Sequence, residues 1–201
     1  MSINIINRAL LKIGEPLISS TAQEPNGKIY GLIYEDILKL LLCNNDWRFA
    51  IKRVCLAPDI QDPISGFAKA YTLPADFLKL YQFGLGWKLP NYRNYIALSD
   101  ERYSIEGDKI LCDVEDKLYI SYVALVTEEK KFSPWFREAM AAKLAAEYAM
   151  RIKQSAQLAQ GFENEFFQCL AQADKNNELM CDSQTIPDGS WVGVREVIDV
   201  D

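Results

Sequence analysis

The sequence contains no histidine, and this absence removes several classes of site at once. It excludes Ser-His-Asp and Cys-His triads, every metal site with an imidazole ligand, and the most common acid–base catalyst near neutral pH. Carboxylates, lysines, tyrosines and cysteines remain for catalysis. Because a pair of carboxylates alone can hydrolyse a glycoside, enzymatic activity is not excluded altogether.

The cysteines form no metal or disulfide pattern. There are five, an odd number without a closely spaced pair, so neither a CxxC site nor a disulfide framework is indicated. This usage favours a reducing compartment. The cysteines are Cys43, Cys55, Cys112, Cys169 and Cys181.

Long apolar runs and targeting segments are also missing. No apolar stretch approaches the ~18–20 residues of a membrane helix. The N-terminal "MSINIINRALLKIGEP" has no charged first segment, long apolar core or small-residue cleavage site. We therefore expect a protein that stays in the cytoplasm where it is made, with no membrane partner.

The net charge of −6 disfavours a surface built to hold phosphate, since such surfaces concentrate Lys and Arg. Any contact with nucleic acid is expected to be transient and non-specific. A DNA-binding regulator is disfavoured further, because the helix pairs are too long for a helix-turn-helix and none has a basic face. The last twenty residues contain five acids against Arg195 alone: Asp182, Asp188, Glu196, Asp199 and Asp201.

Helical periodicity occurs in two parts of the chain, before residue 45 and after residue 132. Apolar spacing predicts helices over residues 3–13 and 28–44, the first stopped by Gly14 and Pro16. Ser133 as N-cap and Pro134 at the first helical position predict a third helix, running to about Lys153. Ser155 is predicted to begin a fourth helix that ends near Met180, whose buried stripe is Phe162, Phe166, Cys169, Leu170 and Ala173.

Between residues 50 and 127 the period changes to two. "YSIEGDKILCD" predicts a hairpin around Gly107 and Asp108, and "KLYISYVALV" alternates with both faces partly apolar. We expect one small antiparallel sheet with both faces partly covered. The aromatic stretch "GLGWKLPNYRNYIALSDE" is a further strand or a long loop.

These elements predict an α+β fold in which about four helices form a bundle. Residues 1–49 and 132–181 are expected to form this discontinuous helical domain. Residues 50–131 form a β-rich domain inserted between helices 2 and 3, and residues 182–201 form an extended C-terminal arm.

The stretch "EAMAAKLAAEYAM" has more alanine than a one-sided core contact needs. At ~100° per residue its apolar arc exceeds ~200°, against a little over ~100° for an ordinary surface helix. One interpretation is that alanine simply favours helix and both sides face the same bundle. The other is that the alanine side meets a neighbouring subunit, and we assign four residues to such an interface: Ala139, Ala142, Ala146 and Ala149.

Several stretches, in order, resemble the head-to-tail adaptor family of short-tailed bacteriophages, also called tail tubular protein A. They are "ALLKIGEPLISS", "DWRFAIKRVCLAP", "YTLPADFLKLYQF", "YSIEGDKILCD", "LYISYVALVTEEKKFSPWFREAMAAKLAAEYA" and "DGSWVGVR". The resemblance covers nearly the whole chain. Its specificity comes from order and spacing, because each stretch is a packing pattern and not a chemical signature.

The resemblance implies a structural virion protein with no enzymatic activity and no cofactor or metal. Members assemble in the host cytoplasm into a homo-oligomeric ring, commonly of twelve copies, located in the tail of the virion. The ring binds the portal protein on one side and a distal tail or nozzle protein on the other, and genomic DNA passes through its centre.

The resemblance also implies that the C-terminal arm reaches the portal. Trp191 is its expected anchor, because buried aromatics dominate interface energetics, although Trp191 could instead fold back onto its own bundle. Apart from Trp191 the arm consists mainly of acids, turn residues and a few branched apolar residues. This is too little apolar surface for the arm to fold alone. The candidate portal-interface residues are Ile186, Trp191, Val192, Val194, Arg195, Val197 and Ile198.

Two further functions stay open from the residues alone. One is a carboxylate-based cell-wall hydrolase carried in the virion, with Glu101, Glu106 and Asp108 as candidate acids. The other is a tail-tube completion protein that binds a different ring.

Overall fold

The computed structural model describes residues 3–22, 26–64, 66–84, 102–114 and 117–180. In this part of the chain the fold is α+β, with four α-helices and two three-stranded antiparallel sheets. The helices are α1 (Ile3–Lys12), α2 (Gly27–Asn44), α3 (Pro134–Tyr148) and α4 (Ala156–Leu179). The predicted class and the predicted number of helices are confirmed.

Helix α1 ends where its stop signal predicts. Gly14 has φ +72°, a left-handed conformation that glycine adopts without strain. The loop that follows is tied back to α1 by Asn7, whose side-chain amide donates to the Ile18 carbonyl and accepts from the Ile18 N–H, each over 2.9 Å. This pair of bonds fixes the path of the chain from α1 towards α2.

Both predicted caps of the C-terminal helices are confirmed. The Ser133 side chain accepts from the Phe136 N–H over 3.2 Å, and Ser155 accepts from the Leu158 N–H over 3.3 Å. Between them α3 continues as a π-helical turn, Ala149–Lys153. The helical segment therefore extends as far as predicted, with its last turn wound more loosely than an α-helix.

The strands are β1 (Ile51–Leu56), β2 (Lys69–Thr72), β3 (Phe77–Gly84), β4 (Tyr103–Glu106), β5 (Lys109–Cys112) and β6 (Leu118–Ala124). They form two sheets in the orders β1-β6-β3 and β2-β5-β4. The expectation of a single sheet is therefore wrong: β2 pairs with β5, whereas β3, which follows it in sequence, pairs with β6. The predicted β4–β5 hairpin is confirmed, with Gly107 at φ +62° in its turn.

Strand β6 is the central strand of its sheet and contributes to two hydrophobic clusters. Ile120 and Tyr122 pack with residues of both sheets in a β cluster, whereas Val123 packs with the helices in a larger helical cluster. This is the predicted alternation, since successive side chains of a strand point to opposite faces. Strand β6 therefore contributes side chains to both hydrophobic clusters. The division into domains at residues 50 and 131 stays a prediction.

Helix α3 lies at the centre of the helical cluster. It contacts α1, α2 and α4, whereas α2 and α4 have few contacts with each other. At its N-terminal end the ring of Phe136 lies against three other aromatic rings, at centroid distances of 4.9 to 5.1 Å. Those rings are Trp47, Phe49 and Phe132.

Candidate interaction surfaces

The alanine face of α3 is buried inside the chain. Its four candidate residues are 0 to 5% exposed. The assignment of these alanines to a contact between subunits is therefore corrected, because almost none of their surface remains for a second chain to reach. They are Ala139, Ala142, Ala146 and Ala149.

The alanines serve the packing of α3 within its own bundle. Ala146 and Ala159 of α4 line one shallow groove, and beside them Lys143 pairs with Glu163 over 2.6 Å. Small side chains on the buried face allow a neighbouring helix to approach closely. The interpretation in which both apolar sides face helices of the same bundle accounts for the wide apolar arc.

The candidate portal-interface residues lie outside the described residues, as do Glu101 and the stretch at 85–101. Helix α4 ends at Leu179, beside a polar groove of about 930 Å³ at this end of the bundle. The last described residues, Leu179 and Met180, therefore lie at this end of the molecule.

In this polar groove, Asn177 of α4 connects to the segment at residues 46–48. Its side chain accepts from the Arg48 N–H over 2.8 Å and donates to the Asp46 carbonyl over 3.0 Å. The Arg48 guanidinium lies 5.8 Å from the ring centre of Tyr81. These contacts join the end of α4 to the segment that leads into the β region.

Asp174 lies half-buried in the same groove. Burial raises the pKa of this carboxyl group above its ordinary value, although the amide of Asn45, which donates a hydrogen bond to it, acts in the opposite direction. The charge of nearby Glu178 raises the pKa further.

A second groove, of about 660 Å³, lies between α1 and the start of α3. Its apolar lining includes Leu11, Leu17 and Trp135, all exposed, with Trp135 42% accessible. Arg8 and Glu138 form an ion pair at its rim. An exposed apolar floor with a polar rim is typical of a protein docking site.

The sequence could have indicated this groove. Leu11 falls outside the stripe predicted for α1, which runs through Ile6, Leu10 and Ile13, and an apolar residue off the buried stripe remains exposed. Trp135 directly follows Pro134 in the first turn of α3, and its position in the sequence does not show which side of the helix it occupies. Their convergence required the packing of α1 on α3.

The loop between β1 and β2 presents two fully exposed isoleucines, Ile60 and Ile64. The loop is held by ion pairs on either side: Asp59 with Lys109 over 2.8 Å, and Asp62 with Lys69 over 2.7 Å. The hydrogen bond from Lys109 lowers the pKa of Asp59 below its ordinary value. The two apolar side chains therefore project from a loop whose base is fixed.

The carboxylates considered for hydrolysis lie at the β4–β5 turn. Glu106 and Asp108 are exposed there, and the Ser104 hydroxyl donates to Glu106 over 3.2 Å. Among the residues that the structure describes, no cluster of three or more Cys, Asp or Glu side chains could hold a metal ion. The same described residues include no helix that is long and apolar enough to cross a membrane.

No protein-family model matches the chain, and no curated protein sequence matches it either.

Proposed function

We propose that this chain is a structural head-to-tail adaptor of a short-tailed bacteriophage. In this role it forms a ring between the portal and the distal tail and lets genomic DNA pass through the centre. The proposal starts from the ordered series of sequence stretches that resemble that family, and it treats the protein as a binding component without catalytic activity.

The observation that carries the proposal is the distribution of exposed apolar surface. Trp135 lines one apolar groove, between α1 and the start of α3, and the pair Ile60 and Ile64 projects from the β region. Contiguous exposed apolar surface on a soluble chain marks sites of protein contact. Separate sites on one small chain suit a component that joins several neighbours.

The net charge supports passage of DNA without capture. Each copy carries −6, so a ring of copies is strongly acidic and repels phosphate. The repulsion is screened over ~8 Å at physiological salt, so it acts only on DNA close to the wall. DNA in such a channel slides without binding.

Contact with the portal is assigned to residues 185–201, with Trp191 as the anchor. The described part of the chain ends shortly before this segment, beside the polar groove at the end of α4. Its branched apolar residues pack against the portal or add to it as an extended strand, a common mode of peptide recognition. Contact with the distal tail is assigned to Ile60 and Ile64.

The test is binding of the purified chain to purified rings of the portal protein encoded with it. We expect deletion of residues 185–201 to abolish binding and Trp191→Ala to weaken it at least ~30-fold, since hot-spot residues contribute ~2 kcal/mol or more. Tyr103→Ala, a change of an exposed aromatic on β4 outside all of the assigned surfaces, is the matched control and should bind as the parent chain does. Full-strength binding by the deletion variant would contradict the proposal.

A lytic assay covers the enzymatic alternative. Loss of turbidity in a peptidoglycan suspension, abolished by Glu106→Gln or Asp108→Asn, would replace the adaptor proposal with a hydrolase. We expect no loss of turbidity.

A further inference from the structure

Helix α2 carries an exposed apolar stripe on the side away from its own core. Ile29, Leu32 and Leu40 are 39%, 64% and 51% exposed. At 3.6 residues per turn they fall within ~100° of arc together with half-buried Ile33 and Cys43, and the buried side of the helix lies opposite. The stripe contains one charged residue, Asp36, which is exposed near its middle.

Over residues 156–172 helix α4 carries an exposed face without charge, whereas Lys175 and Glu178 are exposed in its last turns. Between residues 156 and 172 its charged residues are Glu163 and Glu165, which pair with Lys143 and Lys12 at the edges of the helix. An outward helix face ordinarily carries charged residues, and depletion of charge is a property of interface centres. The uncharged outward residues are Gln157, Gln160, Gly161, Asn164, Gln168, Ala171 and Gln172, with the exposed apolar residues Leu158 and Phe167 at the two edges of this face.

These two faces lie on opposite sides of the bundle. On α3, the ring of Tyr148 lies 4.8 Å from Tyr30 of α2, whereas Ala146 lines a groove with Ala159 of α4. Tyr148 and Ala146 are two residues apart, which on an α-helix is ~200° of rotation. Helices α2 and α4 therefore contact α3 from roughly opposite directions, although their C-terminal ends meet at the polar groove, where Asn45 donates to Asp174.

Two dissimilar faces on opposite sides fit a head-to-tail contact between identical chains, in which one face meets the other on the next copy. A two-fold contact of the α2 stripe with itself would bring two Asp36 carboxylates together near its centre, where like charges are costly once removed from water. The α4 face offers no carboxylate. It offers side-chain amides, whose N–H groups can donate to Asp36.

We propose that the α2 stripe of one copy docks on the uncharged α4 face of the next copy, with Asp36 accepting hydrogen bonds from the α4 amides. This inference deepens the proposed function, on which it rests for the closure of the contacts into a ring. It replaces the buried alanines of α3 with two surfaces that a neighbouring chain can reach.

Disulfide cross-linking tests the contact and its polarity. Cys43 lies at the end of the α2 stripe, so Asn164→Cys, Gln168→Cys and Gln157→Cys, one at a time, each place a second thiol on the α4 face. Cys55→Ser and Cys181→Ser are included throughout, because Cys55 is exposed and Cys181 lies outside the described residues.

On mild oxidation at high protein concentration we expect at least one of the three variants to give a ladder of dimers, trimers and larger species on a non-reducing gel. Adding Cys43→Ser should remove everything above the dimer, and Lys130→Cys, on an exposed residue away from both faces, should give no ladder. Products that stop at the dimer for all three positions, or no products that depend on Cys43, would overturn the proposal.

A charge exchange gives an independent measurement. Asp36→Lys should weaken self-association at least ~10-fold in sedimentation equilibrium, and adding Asn164→Glu or Gln168→Glu should restore part of it. Glu35→Lys is the matched control, because Glu35 is exposed on the same helix but ~100° away from Asp36. Equal effects of Asp36→Lys and Glu35→Lys would exclude the contact.

The failure of this contact and the failure of the adaptor role are distinguishable. If the Asp36→Lys chain still forms complete rings on the portal, the contact is wrong and the adaptor role stands. If the cysteine ladder forms but the parent chain does not bind portal rings, the contact stands and the adaptor role is wrong.

Discussion

Helices α3 and α4 pack against each other, yet they differ in how much of their surface is covered. Helix α3 buries nine of its 15 residues, and α4 buries three of its 24. The alanines belong to the covered helix, and the uncharged amides belong to the exposed one. A wide apolar arc therefore indicates how many sides of a helix are buried, whereas the uncharged exposed face of α4 is the surface that we propose for a neighbouring copy.

The largest test of this difference compares two phenylalanines. Phe136 of α3 is fully buried among aromatic rings, and Phe167 of α4 is 58% exposed. We expect Phe136→Ala to lower the free energy of unfolding by ~3–5 kcal/mol, because it leaves a cavity in the core. Phe167→Ala should change the free energy by no more than ~0.5 kcal/mol in urea denaturation. Similar losses for both variants would remove the distinction between the two helices.

Replacing an alanine by leucine on each helix should give a smaller difference in the free energy of unfolding. Ala142→Leu on the buried face of α3 should destabilise the fold by ~1–3 kcal/mol, since the extra carbons overfill a close helix contact. Ala171→Leu on the exposed face of α4 should be nearly neutral, within ~0.5 kcal/mol. Thermal or urea unfolding distinguishes them, and a tolerated Ala142→Leu would show that the packing of α3 is looser than described.

Removing the N-cap of α4 tests whether this helix unfolds together with the core. Ser155→Ala removes the hydrogen bond to the Leu158 N–H and should cost ~1 kcal/mol, whereas Ser155→Asp should retain the stability because aspartate also caps. If α4 unfolds with α3, the loss appears in global unfolding. If the loss appears only as faster amide exchange at the start of α4, this helix opens separately from the core.

The smallest expected effect depends on pH. Burial raises the pKa of Asp174, so the stability from this group is present at low pH and is lost as pH rises through its folded-state pKa. Asp174→Asn should therefore stabilise the protein at pH 7 by at most ~0.5 kcal/mol. The gain should shrink as pH falls below that pKa.

Glu178→Gln is the companion variant, since the charge of Glu178 also raises the pKa of Asp174. It should lower that pKa, which carboxyl chemical shifts in an NMR titration measure directly. A gain from Asp174→Asn that stays constant from acidic to neutral pH would contradict the assigned cause.

Local signals predicted the elements well. Gly14, Ser133, Pro134 and Ser155 marked helix ends correctly, because caps and stops depend on a few neighbouring residues. The alternation in β6 placed Ile120 and Val123 on opposite faces. The division into two sheets was not predictable, because adjacent strands β2 and β3 pair with β5 and β6, and pairing of this kind depends on distant parts of the chain.

The sequence by itself determined the helix and strand pattern, the excess of acid, the lack of histidine chemistry and the two-sided burial of α3. Only the tertiary structure decided that the alanines of α3 face their own bundle and that the exposed faces belong to α2 and α4. The physical reason is that an apolar helix side has the same composition whether it packs on the same chain or on another. The partner is set by which elements the whole fold brings beside it.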